Sequence, residues 1–494
     1  MRVATGPGVS LGRPVEEAGA REGAAGGRGG PGARDGVGRG TVRGGTMGPG
    51  RRVGVGAGEG PLKADGFGPL AGSPGEEGAR AAAAGGPWAA AGLAEPPFMK
   101  DDKSDMKSAY SSRFGAPSSP LPPSSTIRPA SVGRRSVISR GAQMREQTEG
   151  RVRQPAEWEP HAACWLAWPS AANLWGPHLR PAQRAFVGMC TAIAASDGEV
   201  ASGERLHVLV PDKERAAEAA AALAGLTPTL HEIPFGDIWM RDIAPIFVLG
   251  PSGVAATTFS FNGWGGKYVL PGDAAVATCV AEAAHVPERR FPWVLEGGAV
   301  EVDGEGTCLT TRQCLLNPNR NPGKDERALE DALAQALGVR HVVWLSRGLV
   351  NDHTDGHIDT LARFCAPGVV ACMEARGTGD PNADALGEIA TELAGATDAR
   401  GRRLEVVRIP SPGRIVSPAG EVMPASYMNF YIANRTVIIP TYASRWDDAA
   451  VEAIAGLFPG RRPVAVDARD VLSGGGAIHC ITQQQPHAPG GTTR

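Results

Sequence analysis

A cysteine that follows three glycines is the residue of this sequence best suited to nucleophilic chemistry. Cys480 stands in the segment LSGGGAIHCITQQQP, in which the three glycines place the thiol where the backbone is most flexible. A structural cysteine would not need such a loop. Neighbouring residues of an extended chain face opposite ways, so His479 is unsuited to act as the base for Cys480. A base is therefore expected from elsewhere in the chain.

The segment LVNDHTDGHIDTLARF contains the best candidate for that base. Its acids and imidazoles fall within eight residues: Asp352, His353, Asp355, His357 and Asp359. If the stretch after Gly356 is extended, His357 and Asp359 lie two positions apart and their side chains share one face. On a helix the two would diverge by about 200°. An extended stretch would thus present an imidazole and a carboxylate to one target.

The same segment also allows a metal site. His353, His357 and Asp359 are nitrogen and oxygen ligands of the kind that zinc accepts. Their spacing differs from HExxH, and neither a cysteine pair nor a third nearby histidine completes the set. A zinc-dependent amidohydrolase is therefore kept as the lesser alternative, and we expect no metal and no other cofactor.

Three further segments carry polar residues in unexpected places. GDIWMRDIAPIFV places Trp239 and Asp242 directly before an apolar strand, although an isolated WxRD is commonly a turn held by an ion pair. In VLEGGAVEV, Glu296 precedes two glycines, which either turn closely around a ligand or form a hairpin. The aromatic residues of PASYMNFYIAN read as core, with Asn429 and Arg435 assigned to the rim of a site.

A thiol, a histidine and several carboxylates in one acidic domain suggest that sulfur attacks a cationic carbon. A guanidinium fits this description because it is planar, permanently charged and held bidentately by carboxylates. Its carbon is a poor electrophile because the charge is delocalised. Carboxylates that fix its nitrogens, and a thiolate whose pKa falls beside a cation, would overcome both difficulties.

The composition divides the chain into a basic front and an acidic body. Residues 1–143 contain 32 of the 68 glycines and 19 Lys and Arg against 12 Asp and Glu. We predict that residues 1–143 are a disordered, low-complexity tail and that residues 144–494 are the catalytic domain. The acidic body argues against nucleic acid as a partner. We expect a cytoplasmic protein without a membrane segment, since neither a long apolar run nor a secretory signal is present.

The elements that must position these residues alternate between strands and helices. Apolar runs such as RLHVLVP, IFVLG, EVVRIP, YIANRTVIIP and RPVAVDA predict strands. Amphipathic stretches such as KDERALEDALAQALG, which Gly338 ends, predict helices. This alternation indicates an α/β domain with many strands.

Seven strings in a fixed order resemble the agmatine deiminases and span residues 154–486. They are PAEWEPHAACWLAWP, DIWMRDIAPIFV, FNGWGGKY, LEGGAVEVDGEGTCLTTRQCLLNPNRNP, DGHIDTLARF, SYMNFYIAN and GGGAIHCITQQQP. The chain thus resembles the bacterial-type peptidylarginine deiminase family of the guanidine-modifying, or pentein, superfamily. The resemblance implies an α/β fold, the five-bladed propeller of pseudo-repeated ββαβ units, and it suggests a homo-oligomer.

The resemblance also implies a site and a reaction. The catalytic residues it implies are Cys480 as nucleophile, His357 as general acid and base, Asp359 and Asp242 as carboxylates for the guanidinium, and Glu296 beside the histidine. Trp239 and Gly475 join the two aspartates as substrate-binding residues. The implied reaction is hydrolysis of agmatine, a small cationic guanidine, to N-carbamoylputrescine and ammonia through an S-alkylthiouronium, in polyamine biosynthesis. Deimination of peptidyl- or free arginine to citrulline remains the alternative.

Overall fold

The computed structural model describes residues 152–195 and 203–488. The predicted disordered tail, residues 1–143, lies outside the described residues, so its boundary with 144–494 stays a prediction. None of the helices in the described part is long and apolar enough to cross a membrane.

The described residues form five small sheets. Their strands are β1 His161–Ala167, β2 Arg205–Val210, β3 Thr229–Glu232, β4 Ile246–Gly250, β5 Gly253–Ser260, β6 Glu288–Val294, β7 Glu301–Val302, β8 Thr307–Thr311, β9 His341–Leu345, β10 Ala362–Ala366, β11 Val369–Glu374, β12 Glu405–Pro410, β13 Tyr431–Ile432, β14 Thr436–Thr441, β15 Arg462–Asp467 and β16 Gln483–Pro486. The sheet orders are β16-β1-β2-β3, β4-β5-β6, β7-β8-β9, β10-β11-β12 and β13-β14-β15.

Each sheet repeats one pattern of pairing. An antiparallel pair of strands is followed by a helix and then by a third strand parallel to the second, as in β4, β5 and β6. The helices between the parallel strands are Leu179–Ala194, Asp273–Ala283, Glu326–Leu337, Ala383–Gly395 and Asp447–Leu457. In the first sheet the antiparallel partner of β1 is the last strand, β16, which closes the set. The five-bladed propeller of ββαβ units is thereby confirmed.

The remaining helical segments are short. One additional helix, Lys213–Ala222, joins β2 to the extra strand β3. Single helical turns are Ala172–Trp175, Met240–Ile243, Gly263–Gly266, Arg312–Leu315 and Arg469–Leu472, and the 3₁₀ turns are Gly176–His178, Gly297–Ala299 and Ile358–Thr360.

Local sequence signals explain where the long helices begin and end. The Asp325 carboxylate accepts a hydrogen bond from the Ala328 N–H at 2.9 Å and caps the helix Glu326–Leu337. Gly338 ends it with φ of 77°, a left-handed conformation that glycine adopts without strain. Leu329 and Leu333 are fully buried in the core of this unit. The predicted strands also form, except that YIANRTVIIP is two strands, β13 and β14, joined by a turn.

The connections between units hold the residues suited to chemistry. Asp242 precedes β4, Glu296 lies between β6 and β7, and the pair His357 and Asp359 lies between β9 and β10. Asn429 and Cys480 occupy the next two connections. Since the five units are equivalent, their five connections can meet at one place.

Candidate active site

Three of the expected residues converge on Gly298. A Cβ atom on this glycine would lie 2.5 Å from His357 Nδ1, 2.9 Å from Asp242 Oδ1 and 3.2 Å from Asp359 Oδ2. His357 Nδ1 and Asp242 Oδ1 are themselves 3.7 Å apart. The Gly-Gly pair forms a 3₁₀ turn rather than a hairpin, and its backbone lies close to these three side chains. Close approach of a ligand to this turn stays a prediction.

The local conformation of the histidine segment differs from the extended stretch considered from the sequence. Residues Ile358–Thr360 form a 3₁₀ turn, and His357 precedes it with φ of −56° and ψ of 140°. His357 and Asp359 nevertheless face the same point. The alternation argument was wrong because it assumed one regular conformation, whereas the backbone changes conformation between the two residues.

Cys480 adjoins this group through Asp359. Its Sγ lies 3.7 Å from Asp359 Oδ2, and the side-chain amide of Asn429 donates a hydrogen bond to the same Sγ at 3.2 Å. Asn429 Oδ1 accepts hydrogen bonds from the backbone N–H of His479 at 3.0 Å and of Cys480 at 3.3 Å. Asn429 is therefore buried against the thiol rather than at the rim, while Arg435 is exposed.

The ionisable groups of the site influence one another strongly. Burial, followed by the charges of Asp359 and Asp242, raises the pKa of the Cys480 thiol. Burial, together with the neighbouring Asp359 carboxylate, raises the pKa of Asp242 to about 8. Burial lowers the pKa of His357 to about 3. At neutral pH the site thus contains a thiol, a neutral imidazole and a largely protonated Asp242. An added positive charge would favour ionisation of the thiol and of Asp242.

Several buried atoms of the site have no hydrogen-bond partner among the described residues. They are both ring nitrogens of His357, Asp359 Oδ1 and Glu296 Oε2. Buried polar atoms are normally paired, since an unpaired one loses its hydration without compensation. Unpartnered buried polar atoms on several converging side chains are typical of a site that binds a polar ligand.

Arg320, which the sequence analysis missed, holds Glu296 in place. Its Nε donates to Glu296 Oε1 at 2.8 Å, and the guanidinium also pairs with Asp355. Burial raises the pKa of Glu296, and the nearby guanidinium opposes this shift. NPNRNP belongs to the strings that carry the resemblance, but an arginine in a polar loop has no pattern that distinguishes it from a surface residue.

The zinc set considered from the sequence does not assemble. The His353 ring pairs with the Tyr268 hydroxyl at 2.8 Å. Across residues 152–195 and 203–488, the three potential ligands that do come within 4.8 Å of one another are Glu296, Cys314 and His357. The Arg320 guanidinium already pairs with Glu296, and its charge opposes a divalent cation at that place.

A buried ionic network contacts the site through Asp359. His479 faces Asp359 Oδ2 with Nδ1 at 2.7 Å and Glu157 Oε2 with Nε2 at 2.8 Å. Glu157 in turn pairs with Arg363 at 2.8 Å and with Arg241 at 3.4 Å. His479 is thus unsuited as the base for Cys480, as expected, because both of its ring nitrogens face carboxylates. Sequence spacing does not reveal this network, since its members come from segments that are far apart in the sequence.

Trp239 and the three glycines form the wall next to Cys480. A Cβ atom on Gly476 would lie 2.7 Å from Trp239 Cζ3 and 3.1 Å from Cys480 Sγ. Gly475 has φ of 109° and lines a narrow cleft together with Cys480 and Asp359. The Trp239 indole N–H donates to Asp237 at 2.8 Å, which orients the ring. Trp264, another missed residue, donates to Asp242 Oδ2 at 2.9 Å.

A comparison of the sequence with known families decides its membership. The profile of the Porphyromonas-type peptidyl-arginine deiminases matches residues 153–486, which include every residue of this site. The chain belongs to this family. The family match covers the whole set of five ββαβ units described above, from the segment before β1 to the end of β16.

Individual proteins and solved structures are similar to this chain over most of their own length. A Legionella pneumophila protein named provisionally as an agmatine deiminase is 38% identical over 341 residues, which are 67% of this chain and 94% of that protein. The structure of the Enterococcus faecalis agmatine deiminase is similar at 33% identity and a TM-score of 0.64, covering 69% of this chain and 97% of that one. A Porphyromonas gingivalis structure named provisionally as an arginine deiminase has 34% identity and a TM-score of 0.61, covering 68% and 98%.

Proposed function

We propose that this protein hydrolyses agmatine to N-carbamoylputrescine and ammonia, with Cys480 as the nucleophile. The observation that carries the proposal is the set of unpartnered buried atoms on His357 and Asp359 directly beside a buried thiol. A guanidinium placed there would supply donors to Asp359 Oδ1, would compensate the charge of Asp359 and would favour ionisation of Asp242.

The first half of the proposed mechanism forms the covalent intermediate. Burial and the charges of Asp359 and Asp242 disfavour ionisation of the Cys480 thiol. The positive charge of a bound guanidinium would stabilise the thiolate. Neutral His357 takes up the thiol proton as Sγ bonds to the guanidinium carbon. The imidazolium then protonates one –NH₂ group of the adduct, and the C–N bond breaks. Ammonia departs, and an S-alkylthiouronium remains on Cys480.

The second half returns the enzyme to its starting state. His357, neutral again, accepts a proton from a water molecule that attacks the thiouronium carbon. The C–S bond breaks, Cys480 regains a proton as the carbonyl of the urea product forms, and the second proton passes to solvent. Asp242 and Asp359 hold the planar head group in both halves, which keeps the carbon near the sulfur and near the water.

The cleft favours agmatine over arginine. Among the described residues that line it none is basic: Asp352, Thr354, Asp359, Thr360, Pro424, Ser426, Asn429, Tyr442, Leu472, Gly475, Gly476, Ala477 and Cys480. The α-carboxylate of arginine would be desolvated there without a cation to pair with, and an unpaired buried charge is costly. Agmatine has no such group.

We further propose that the reaction belongs to the formation of putrescine from arginine. The substrate is decarboxylated arginine, and hydrolysis of the urea product would give putrescine. A cytoplasmic location and a homo-oligomer stay predictions from the sequence.

A panel of three substrates tests the proposal. We expect kcat/KM for ammonia release from agmatine to exceed that from free arginine or an arginine peptide by about 100-fold or more, the ratio that corresponds to a buried unpaired carboxylate. Mass spectrometry of the products distinguishes N-carbamoylputrescine from citrulline. Citrulline formation at a rate equal to that with agmatine would instead favour the arginine deiminase alternative.

Gly298→Ala is expected to reduce kcat/KM for agmatine by about 100-fold, because the added methyl group would displace His357, Asp242 or Asp359 by a fraction of an ångström or more. Gly456→Ala is the matched control, since nothing lies within 4 Å of its Cβ position in the helix Asp447–Leu457. Steady-state kinetics on both variants measure the difference. Equal activity of the two would contradict the close approach at Gly298.

A further inference from the structure

Asn429 is joined to the nucleophile segment by several hydrogen bonds. It lies in the connection between β12 and β13, and Cys480 lies in the connection between β15 and β16. The Asn429 backbone carbonyl accepts a hydrogen bond from the His479 N–H at 3.0 Å. Its side-chain oxygen accepts from the same N–H at 3.0 Å and from the Cys480 N–H at 3.3 Å. Asn429 is 1% exposed, so these contacts are shielded from water.

These contacts fix which end of the Asn429 amide faces the sulfur. Because Oδ1 faces two N–H groups, the NH₂ group must take the other position, where Nδ2 lies 3.2 Å from Cys480 Sγ. A thiol is a weak acceptor, whereas a thiolate carries a charge and accepts hydrogen bonds more strongly. The donor is therefore in place before the reaction begins, and its hydrogen bond strengthens when the thiol ionises.

Other neighbours of the sulfur oppose its ionisation. Sγ donates to Asp359 Oδ2 at 3.7 Å, and once the proton has left, this contact brings two negative charges together. Burial, followed by the charges of Asp359 and Asp242, raises the pKa of the Cys480 thiol. The Ala477 N–H and the Asn429 amide donate to the sulfur and oppose this rise in the pKa. Asn429 thus favours the ionised sulfur independently of any substrate.

We propose that Asn429 is a further catalytic residue, which stabilises the Cys480 thiolate through its hydrogen bond to Sγ in both halves of the reaction. This assignment rests on the proposed function. In the first half the donor favours the thiolate that attacks the guanidinium carbon, and in the second half it favours the thiolate that leaves as the C–S bond breaks. The amide keeps its own protons throughout. Because the hydrogen bond is strongest when the sulfur is charged, its loss should affect kcat more than KM.

Two measurements on Asn429→Ala test the proposal. We expect kcat for agmatine to fall about 10- to 100-fold, as for a lost hydrogen bond to a charged group, with KM changed by less than about threefold. The second measurement is the rate at which iodoacetamide alkylates Cys480 without agmatine, followed by mass spectrometry of the peptide that contains Cys480. We expect this rate to fall about 3- to 10-fold, because the smaller thiolate fraction is partly offset by the greater nucleophilicity of a more basic thiolate.

Alkylation distinguishes a donor to the sulfur from a residue that only anchors the loop. Loss of an anchor would displace Cys480 and slow turnover, but it would not slow the reaction of the thiolate with a small neutral reagent. A lower kcat with an unchanged or faster alkylation rate would therefore overturn the proposal, and so would an unchanged kcat.

Asn434→Ala is the matched control. Asn434 lies in the turn between β13 and β14, where its side chain accepts from the His161 N–H and donates to the His161 carbonyl, both at 2.8 Å. The substitution therefore removes a comparable pair of contacts to the backbone away from the sulfur. We expect both rates to stay within about threefold of those of the unmodified protein.

Asn429→Asp covers the case in which the alanine variant does not fold. Its side chain keeps an oxygen for the two backbone N–H groups but presents a second oxygen, instead of a donor, to Sγ. We expect kcat and the alkylation rate to fall at least as far as in Asn429→Ala, and rates equal to those of the unmodified protein would overturn the proposal. Alkylation requires no turnover. Absence of ammonia release from agmatine by the unmodified protein would thus overturn the proposed function, while the alkylation rates would still decide whether Asn429 stabilises the thiolate.

Discussion

Replacing Cys480 with alanine is expected to reduce kcat for agmatine by about 10⁴-fold or more while agmatine still binds. The sulfur is the atom that would bond to the guanidinium carbon, and no other group of the site can replace it. The carboxylates of Asp242 and Asp359 that hold the guanidinium remain in place. Ammonia release measures the loss of turnover, and calorimetric titration with agmatine measures binding.

A second thiol provides the matched control for this experiment. Cys314 is also buried and free, and its Sγ lies within 4.8 Å of a His357 ring nitrogen and of a Glu296 oxygen. It lies next to Glu296 rather than next to the aspartates, and burial raises the pKa of its thiol. Cys314→Ala should retain most of the activity. Loss of turnover in Cys314→Ala together with retained turnover in Cys480→Ala would identify Cys314 as the nucleophile and would contradict the proposed mechanism.

Replacing His357 with asparagine is expected to lower kcat by about 10²- to 10⁴-fold, the range typical of a lost general acid and base. The change should have little effect on the free energy of unfolding, because neither ring nitrogen of His357 has a hydrogen-bond partner among the described residues. Steady-state kinetics and thermal unfolding measure the two effects on the same preparation.

His479→Asn is the control that distinguishes a chemical from a structural histidine. Its ring bridges Asp359 and Glu157, so its loss leaves buried carboxylate oxygens unpaired and should destabilise the protein by about 3 kcal/mol. We expect a clearly lower Tm for His479→Asn and a nearly unchanged Tm for His357→Asn. A nearly unchanged kcat in His357→Asn would be incompatible with the proposed mechanism.

The two histidines illustrate why chemistry cannot be assigned from residue type alone. Both are buried, and both lie near Asp359. His479 has carboxylate partners at both ring nitrogens, which fixes its ring, whereas burial without such partners lowers the pKa of His357 to about 3. The sequence analysis separated them by the alternation of side chains next to Cys480 and by family resemblance, and the hydrogen bonds agree with that separation.

The sequence by itself determined the elements of this protein and predicted which residues are reactive. Helix ends follow from local chemistry, such as the Asp325 cap and the left-handed Gly338, which act within one turn of the chain. The ordered strings around Cys480, His357 and Asp242 likewise sufficed to indicate the family and the five ββαβ units.

Only the tertiary structure decided how those residues are arranged and what supports them. Asn429 at the thiol, Arg320 at Glu296 and the network beneath Asp359 join segments far apart in sequence, so no local period encodes them. The pairing of Asp355 has the same origin, because it depends on where Lys267 and Arg320 come to lie. Burial and the positions of neighbouring charges set the pKa of each group, and both exist only once the five units have packed together.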